Sequence, residues 1–81
     1  MSDSSGKPRK VAGYNQFVKL VRKGQARKVY LASDADMFFA EKIKNELSCH
    51  AEVELETRYT AKDLATMAGV DVPTAVITET N

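Results

Sequence analysis

The chain of 81 residues is poor in soft ligands, with one cysteine, Cys49, and one histidine, His50. A lone cysteine excludes an internal disulfide, and one Cys with one His falls short of the four ligands of a structural zinc site. The glycines at 6, 13, 24 and 69 never cluster into a phosphate-cradling loop, so no nucleotide cofactor is expected. No run approaches the ~20 apolar residues of a membrane helix. Met1 to Lys10 is polar and basic, without the apolar stretch of a secretory signal. A cytoplasmic protein without membrane contact is expected. Catalytic groups are equally thin: Cys49 and His50 are sequence neighbours whose side chains diverge, and Asp34 with Asp36 suits a helix cap and a loop brace better than an acid/base pair. An enzyme is not expected.

Charge is plentiful and unevenly placed. The net charge of +1 divides into +7 over residues 1–30, where eight Lys or Arg face Asp3 alone, and −6 over residues 31–81. Such asymmetry points one face at a polyanion, and for a cytosolic chain the common polyanion is nucleic acid. The plainer alternative is a small domain with lopsided ends. With 43% apolar and 28% charged residues, the length suits one small core, expected over residues 9–81 behind a basic tail, residues 1–8, that has nothing to bury.

Arg9 to Ala12 reads as a short strand stopped by Gly13. Tyr14 to Lys23 follows as a helix ended by Gly24, with Phe17, Val18, Leu20 and Val21 on one side. Asn15, Gln16, Lys19, Arg22 and Lys23 share an arc of roughly 120° on the other. Lys28 to Ala32 has strand composition. Asp36 can cap a helix over Met37 to Leu47 whose stripe is Ala40, Ile43 and Leu47, with Met37 and Phe39 at its margins and Phe38 towards solvent. Glu52 to Thr57 alternates Val53 and Leu55 with glutamates, the pattern of a strand with one wet face near a sheet edge. Thr60 to Asp63 resembles a capping box for a helix striped by Leu64, Met67 and Ala68 and ended by Gly69. Thr74 to Thr78 is apolar enough for an interior strand. This order predicts an α/β fold, a three-layer α/β/α sandwich whose mixed four-stranded sheet carries helices on both faces.

The strongest constellation is Gly13, Tyr14, Asn15 and Gln16 leading into Lys19, Arg22 and Lys23. Glycine permits close backbone approach, helix N-terminal amides favour phosphate, amide side chains match base edges, and cations one turn on can meet the backbone. An amphipathic helix with a solvated face would show the same residues.

Gly13-Tyr14-Asn15-Gln16-Phe17-Val18-Lys19, Lys23-Gly24-Gln25-Ala26, the strand Val29 to Ala32, Asp34-Ala35-Asp36 and Ala68-Gly69-Val70-Asp71-Val72 together resemble the ribosomal protein seven-Ae/thirty-e family of kink-turn RNA binders, in the family's order and spacing. The resemblance implies an α/β/α sandwich that binds a sharply bent RNA internal loop with tandem sheared G·A pairs. It implies that Gly13 opens the RNA-facing turn, Asn15 and Gln16 contact the guanines, Lys19 holds phosphates, and Asp34 braces this polar cluster. The loop Val70, Asp71, Val72 and Pro73 would pack under an extruded base. Five positions depart from the pattern. Tyr14 stands for a small Ser or Thr and either stacks on the RNA or crowds it. Ser33 stands where a charged residue commonly precedes Asp34, Thr66 replaces a frequent lysine, and Pro73-Thr74 stiffens the loop. The expected role is a monomeric, ribosome-associated RNA-binding protein. The alternative on the same fold is a protein adaptor that uses exposed Phe38 and the acidic strand Glu52 to Glu56.

Overall fold

The apolar periodicities become seven elements among the described residues: β1 (Arg9–Ala12), α1 (Tyr14–Arg22), β2 (Ala26–Leu31), α2 (Met37–Leu47), β3 (Glu54–Glu56), α3 (Ala61–Ala68) and β4 (Val76–Thr80). The structure is a computed structural model that describes residues 9–80, so the basic tail expected at 1–8 lies outside the described residues. The strands form one mixed sheet in the order β1-β4-β2-β3, with β4 antiparallel to both neighbours and β2 parallel to β3. The apolar last strand is thus interior and the glutamate-rich β3 is an edge, where one face can stay wet. No helix among the described residues is long and apolar enough to cross a membrane.

Because strand side chains alternate, β2 and β4 feed two cores. Val29, Leu31 and Val76 pack with Phe17 and Val21 of α1 and Ile43 and Leu47 of α2; Tyr30 and Ile77 pack with Leu64 of α3. Two helices therefore cover one face and one short helix the other, which makes the three layers. Phe17, Ile43, Leu64 and Ile77 are fully enclosed, each contributing about 1.5–3 kcal/mol by leaving water. Local signals set the helix ends. The Asp36 carboxylate accepts from the Phe38 and Phe39 N–H groups at 2.9 and 3.3 Å. Thr60 and Asp63 form a reciprocal capping box. Gly69 closes α3 at φ 73°, a left-handed conformation that costs glycine little.

Half of the α3 face lies beyond that helix and is polar. Lys10 of β1 and Glu79 of β4 are 3.8 Å apart, and Lys28 of β2 and Glu56 next to it on β3 are 3.7 Å apart, so charge alternates strand by strand across the sheet. The Tyr30 hydroxyl donates to Glu79 at 3.0 Å. Burial first, and then this hydrogen bond, push its phenol up to about 12, so the donor stays protonated at neutral pH.

The strand boundaries differ from expectation for identifiable reasons. β4 starts at Val76 rather than Thr74 and continues to Thr80. Thr74 is held outside the ladder, its N–H donating to the Ala61 carbonyl and its hydroxyl to the Val76 carbonyl, whereas Glu79 joins it because Lys10 and Tyr30 partner its carboxylate. β2 begins at Ala26, two residues early, and ends at Leu31, because β4 pairs along that length. β3 shrinks to Glu54–Glu56, the stretch that pairs with Lys28 to Tyr30, while Val53 closes a turn onto the His50 carbonyl. Lys23 caps α1 and is not its last residue. Met37, expected at the margin of the α2 stripe, is 74% exposed, roughly 120° around the helix from Ile43 and outside the packed side. In α3, Ala65 joins Leu64 in the interior and Met67 and Ala68 pack only partly.

Thr78 is completely buried in β4 and its hydroxyl has no hydrogen-bond partner among the described residues. A valine there fills nearly the same shape without an orphaned polar atom. Thr78→Val should therefore raise stability by about 1–2 kcal/mol, seen as a higher urea midpoint at an unchanged m-value; a lower midpoint would mean that the hydroxyl is satisfied.

Candidate nucleic-acid interface

Backbone hydrogen bonds knit several connections together at one end of the sheet. Gly13 N–H donates to the Val76 carbonyl at 3.2 Å, Ala32 N–H to Ala75 at 2.8 Å, Ser33 N–H to Tyr59 at 2.7 Å and Thr74 N–H to Ala61 at 3.3 Å. The start of α1, the segment after β2, the start of α3 and the approach to β4 therefore share this end. It brings together the expected site residues Gly13, Asn15, Gln16 and Asp34 and the end of the loop Val70 to Pro73. In that loop Val70 and Val72 are 37% and 66% exposed, and Asp71 and Pro73 are exposed as well. Asp34 acts differently from expectation. Its carboxylate accepts from the Ala61 N–H at 3.0 Å, so the element it braces is α3 and not the polar cluster of α1.

The helix starts at this end are not equivalent. Side chains cap α2 and α3, but Gly13 gives α1 no side-chain cap and its first turn holds no acidic residue. The Tyr14, Asn15 and Gln16 amides thus sit at a positive helix end with no side-chain cap and no acidic residue in the first turn. Gly13 makes this turn at φ 110° with open space where a Cβ would be. Asn15 and Gln16 are exposed. Gln16 also lines a groove of about 680 Å³ beside α1, walled by Arg9, Val11, Leu20, Gln25 and Thr80.

The basic residues of the first third separate in space. Lys10 and Lys28 lie in the ion pairs of the α3 face. Arg22 reaches across to α2, where its Nε and Nη2 donate to the two carboxylate oxygens of Glu46 at 3.1 and 3.3 Å. Lys19 and Lys23 remain exposed on the outer face of α1. Arg22 is therefore chiefly a clamp between helices, and the cationic surface of α1 is narrower than its five-residue polar arc suggests.

Tyr14 is half-buried in the seam between α1 and α2. Its ring centroid lies 5.9 Å from Phe17 and 5.7 Å, edge-on, from Phe39, and the Lys42 ammonium sits 4.7 Å above it. The half-buried ring is thus packed between the two helices. The ring thereby places Lys42, one turn after Phe38 on α2, on the side of α2 that faces α1.

The uncapped start of α1, with its exposed Asn15 and Gln16, thus stands at one end of a three-layer α/β/α sandwich. Residues 3–81 match the ribosomal protein L7Ae/L30e/S12e/Gadd45 family, and the chain belongs to it. Among solved structures, a Bacillus halodurans protein of unknown function is similar in fold, with a TM-score of 0.80 at 23% identity over 90% of this chain and 72% of that one. A Giardia lamblia 15.5 kD RNA-binding protein has a TM-score of 0.72 at 27% identity, and the match covers 90% of this chain and 61% of that protein. No curated protein sequence matches the chain significantly.

The hydrogen bond from Arg22 holds the Glu46 carboxyl below its ordinary range, outweighing partial desolvation, and Glu46 in turn holds the Arg22 guanidinium up. A carboxyl whose folded pKa is depressed stabilises the fold above its unfolded pKa and loses that contribution as pH falls through the folded value. Glu46→Gln should therefore lower the thermal midpoint slightly at pH 7 and match the wild type once pH is well below the carboxylate range. A difference that persists in acid would assign the effect to packing.

Proposed function

We propose that the chain binds RNA, specifically a kink-turn or related sharply bent internal loop, through the end of the sheet that carries Gly13, Asn15 and Gln16. The observation that carries this reading is the start of α1, where exposed amide side chains and backbone amides without a side-chain cap stand beside exposed Lys19 and Lys23. Membership of the family and the likeness to the Giardia RNA-binding protein support it. The role is binding and shaping RNA rather than catalysis, in the cytoplasm, as a monomer associated with ribosomal or other structured RNA.

Each residue then has a physical task. Gly13 lets the backbone approach the RNA without a side chain in the way. Asn15 and Gln16 donate to and accept from guanine edges in the sheared pairs. Lys19 and Lys23 meet phosphates along the stem, as point charges suit. Asp34, by holding Ala61 and hence α3, steadies the connection from Gly69 to Thr74, where Val70 and Val72 offer apolar surface to an unstacked base and Pro73 limits the loop's freedom. Tyr14 and Arg22 act one step back, setting the angle of α1 against α2. The adaptor alternative loses part of its surface, because Glu56 of the acidic strand is paired with Lys28 and Arg58.

Titration of kink-turn RNA against a plain duplex tests the reading. Asn15→Ala or Gln16→Ala should cost about 1–3 kcal/mol on the kink-turn and little on the duplex; equal losses on both would remove the base-reading role. Lys19→Ala should weaken binding to both and reduce the slope of log K against log salt by about 1. A slope unchanged by that substitution would take Lys19 off the phosphate backbone.

A further inference from the structure

Phe38 is 77% exposed in the first turn of α2, although Phe39 beside it is partly buried against the core. Its burial would be favourable, so the Phe38 ring is an aromatic surface that the fold itself leaves to solvent. On the helix, Lys42 follows one turn later, roughly 40° around the axis, and Asn45 one further turn on, roughly 20° to the other side of Phe38. All three are exposed. The stripe borders the α1 seam, because Lys42 lies over Tyr14, the residue before Asn15.

We infer that the outer stripe Phe38, Lys42 and Asn45 is a second RNA subsite that takes an unpaired nucleotide, with the Phe38 ring as a stacking platform, the Lys42 ammonium for its phosphate and the Asn45 amide for its base edge. The inference rests on the RNA reading of the α1 end and extends it across the seam. An aromatic ring with a cation one turn away is the combination by which single-stranded nucleic acid is held without strict sequence choice. Charge agrees with this occupant, since Lys42 continues towards α2 the cationic surface that Lys19 and Lys23 form on α1. A protein partner suits the stripe less well. The core of such an interface is a contiguous apolar patch with few charges, whereas Phe38 has Met37 as its one exposed apolar neighbour in the turn and is flanked by Glu41, Lys42 and Asn45. The two carboxylates of this turn do not oppose the assignment. Asp36 is engaged by the Phe38 and Phe39 N–H groups, and Glu41 projects roughly 60° from Phe38 on the flank away from Lys42.

The test compares a blunt kink-turn RNA with the same RNA bearing about four unpaired nucleotides, at the 5′ or the 3′ end, one of them 2-aminopurine. Wild-type protein should bind one extended RNA about tenfold more tightly than the blunt one and quench the 2-aminopurine. Phe38→Ala should abolish both the gain and the quenching, Phe38→Trp should restore them, and all three proteins should bind blunt RNA alike. Lys42→Ala should lower the salt slope on the extended RNA. Blunt RNA bound normally, with no gain from either extension, overturns the subsite and leaves the α1 reading intact. A gain that survives Phe38→Ala also overturns it and leaves Phe38 to a protein partner. Absence of binding to every RNA removes both readings.

Discussion

The placement of β4 between β1 and β2 is the constraint on which the rest depends. An interior strand must satisfy ladders on both sides and bury side chains on both faces, and Val76, Ile77 and Thr78 do so almost without exposure. Once β4 is seated, its leading edge fixes the candidate binding end. Val76 holds Gly13, Ala75 holds Ala32, and Thr74 holds Ala61. The spacing between the amides of α1, the turn after β2 and the exposed valines of the loop before β4 is thus a property of the sheet, not of flexible loops meeting by chance. Sites supported in this way keep their geometry better than sites carried on unsupported loops.

Most of the fold was legible in the sequence because the strongest signals are local. Asp36, the box Thr60 to Asp63 and Gly69 each state a helix end through a hydrogen bond that the neighbouring residues can make by themselves. The alternation of Val53 and Leu55 with glutamates marked an edge strand correctly. Strand limits were less legible, because pairing partners set them. Nothing near Glu79 announces that Lys10 and Tyr30 will make its place in a sheet tolerable, and Thr74 looks like strand until Ala61 takes its N–H.

The candidate site was legible in composition but not in charge. Gly13, Asn15, Gln16 and Asp34 lie at one end of the sheet, yet the basic residues of α1, β1 and β2 form no single surface. Lys10 and Lys28 are spent on the opposite face of the sheet and Arg22 on Glu46, partners distant in sequence that only the fold supplies. Lys42, from the acidic part of the chain, moves the other way and stands beside the site. A formal count overstates the cationic face of α1 and misses its extension onto α2.

The same seating of β4 sets the order in which the molecule can be made. The first strand has no partner until the last arrives, since Arg9 to Ala12 pair with β4 and with no other strand among the described residues. A chain emerging from N- to C-terminus can form α1, α2 and the short parallel contact of β2 with β3 early. The binding end, however, waits for residues 74–76, and the non-local closure makes that step slow compared with helix formation. During synthesis the basic residues of α1 are therefore exposed well before the candidate surface around them is complete. On the reading proposed above, any RNA met in that interval would meet a charged peptide and not the finished surface.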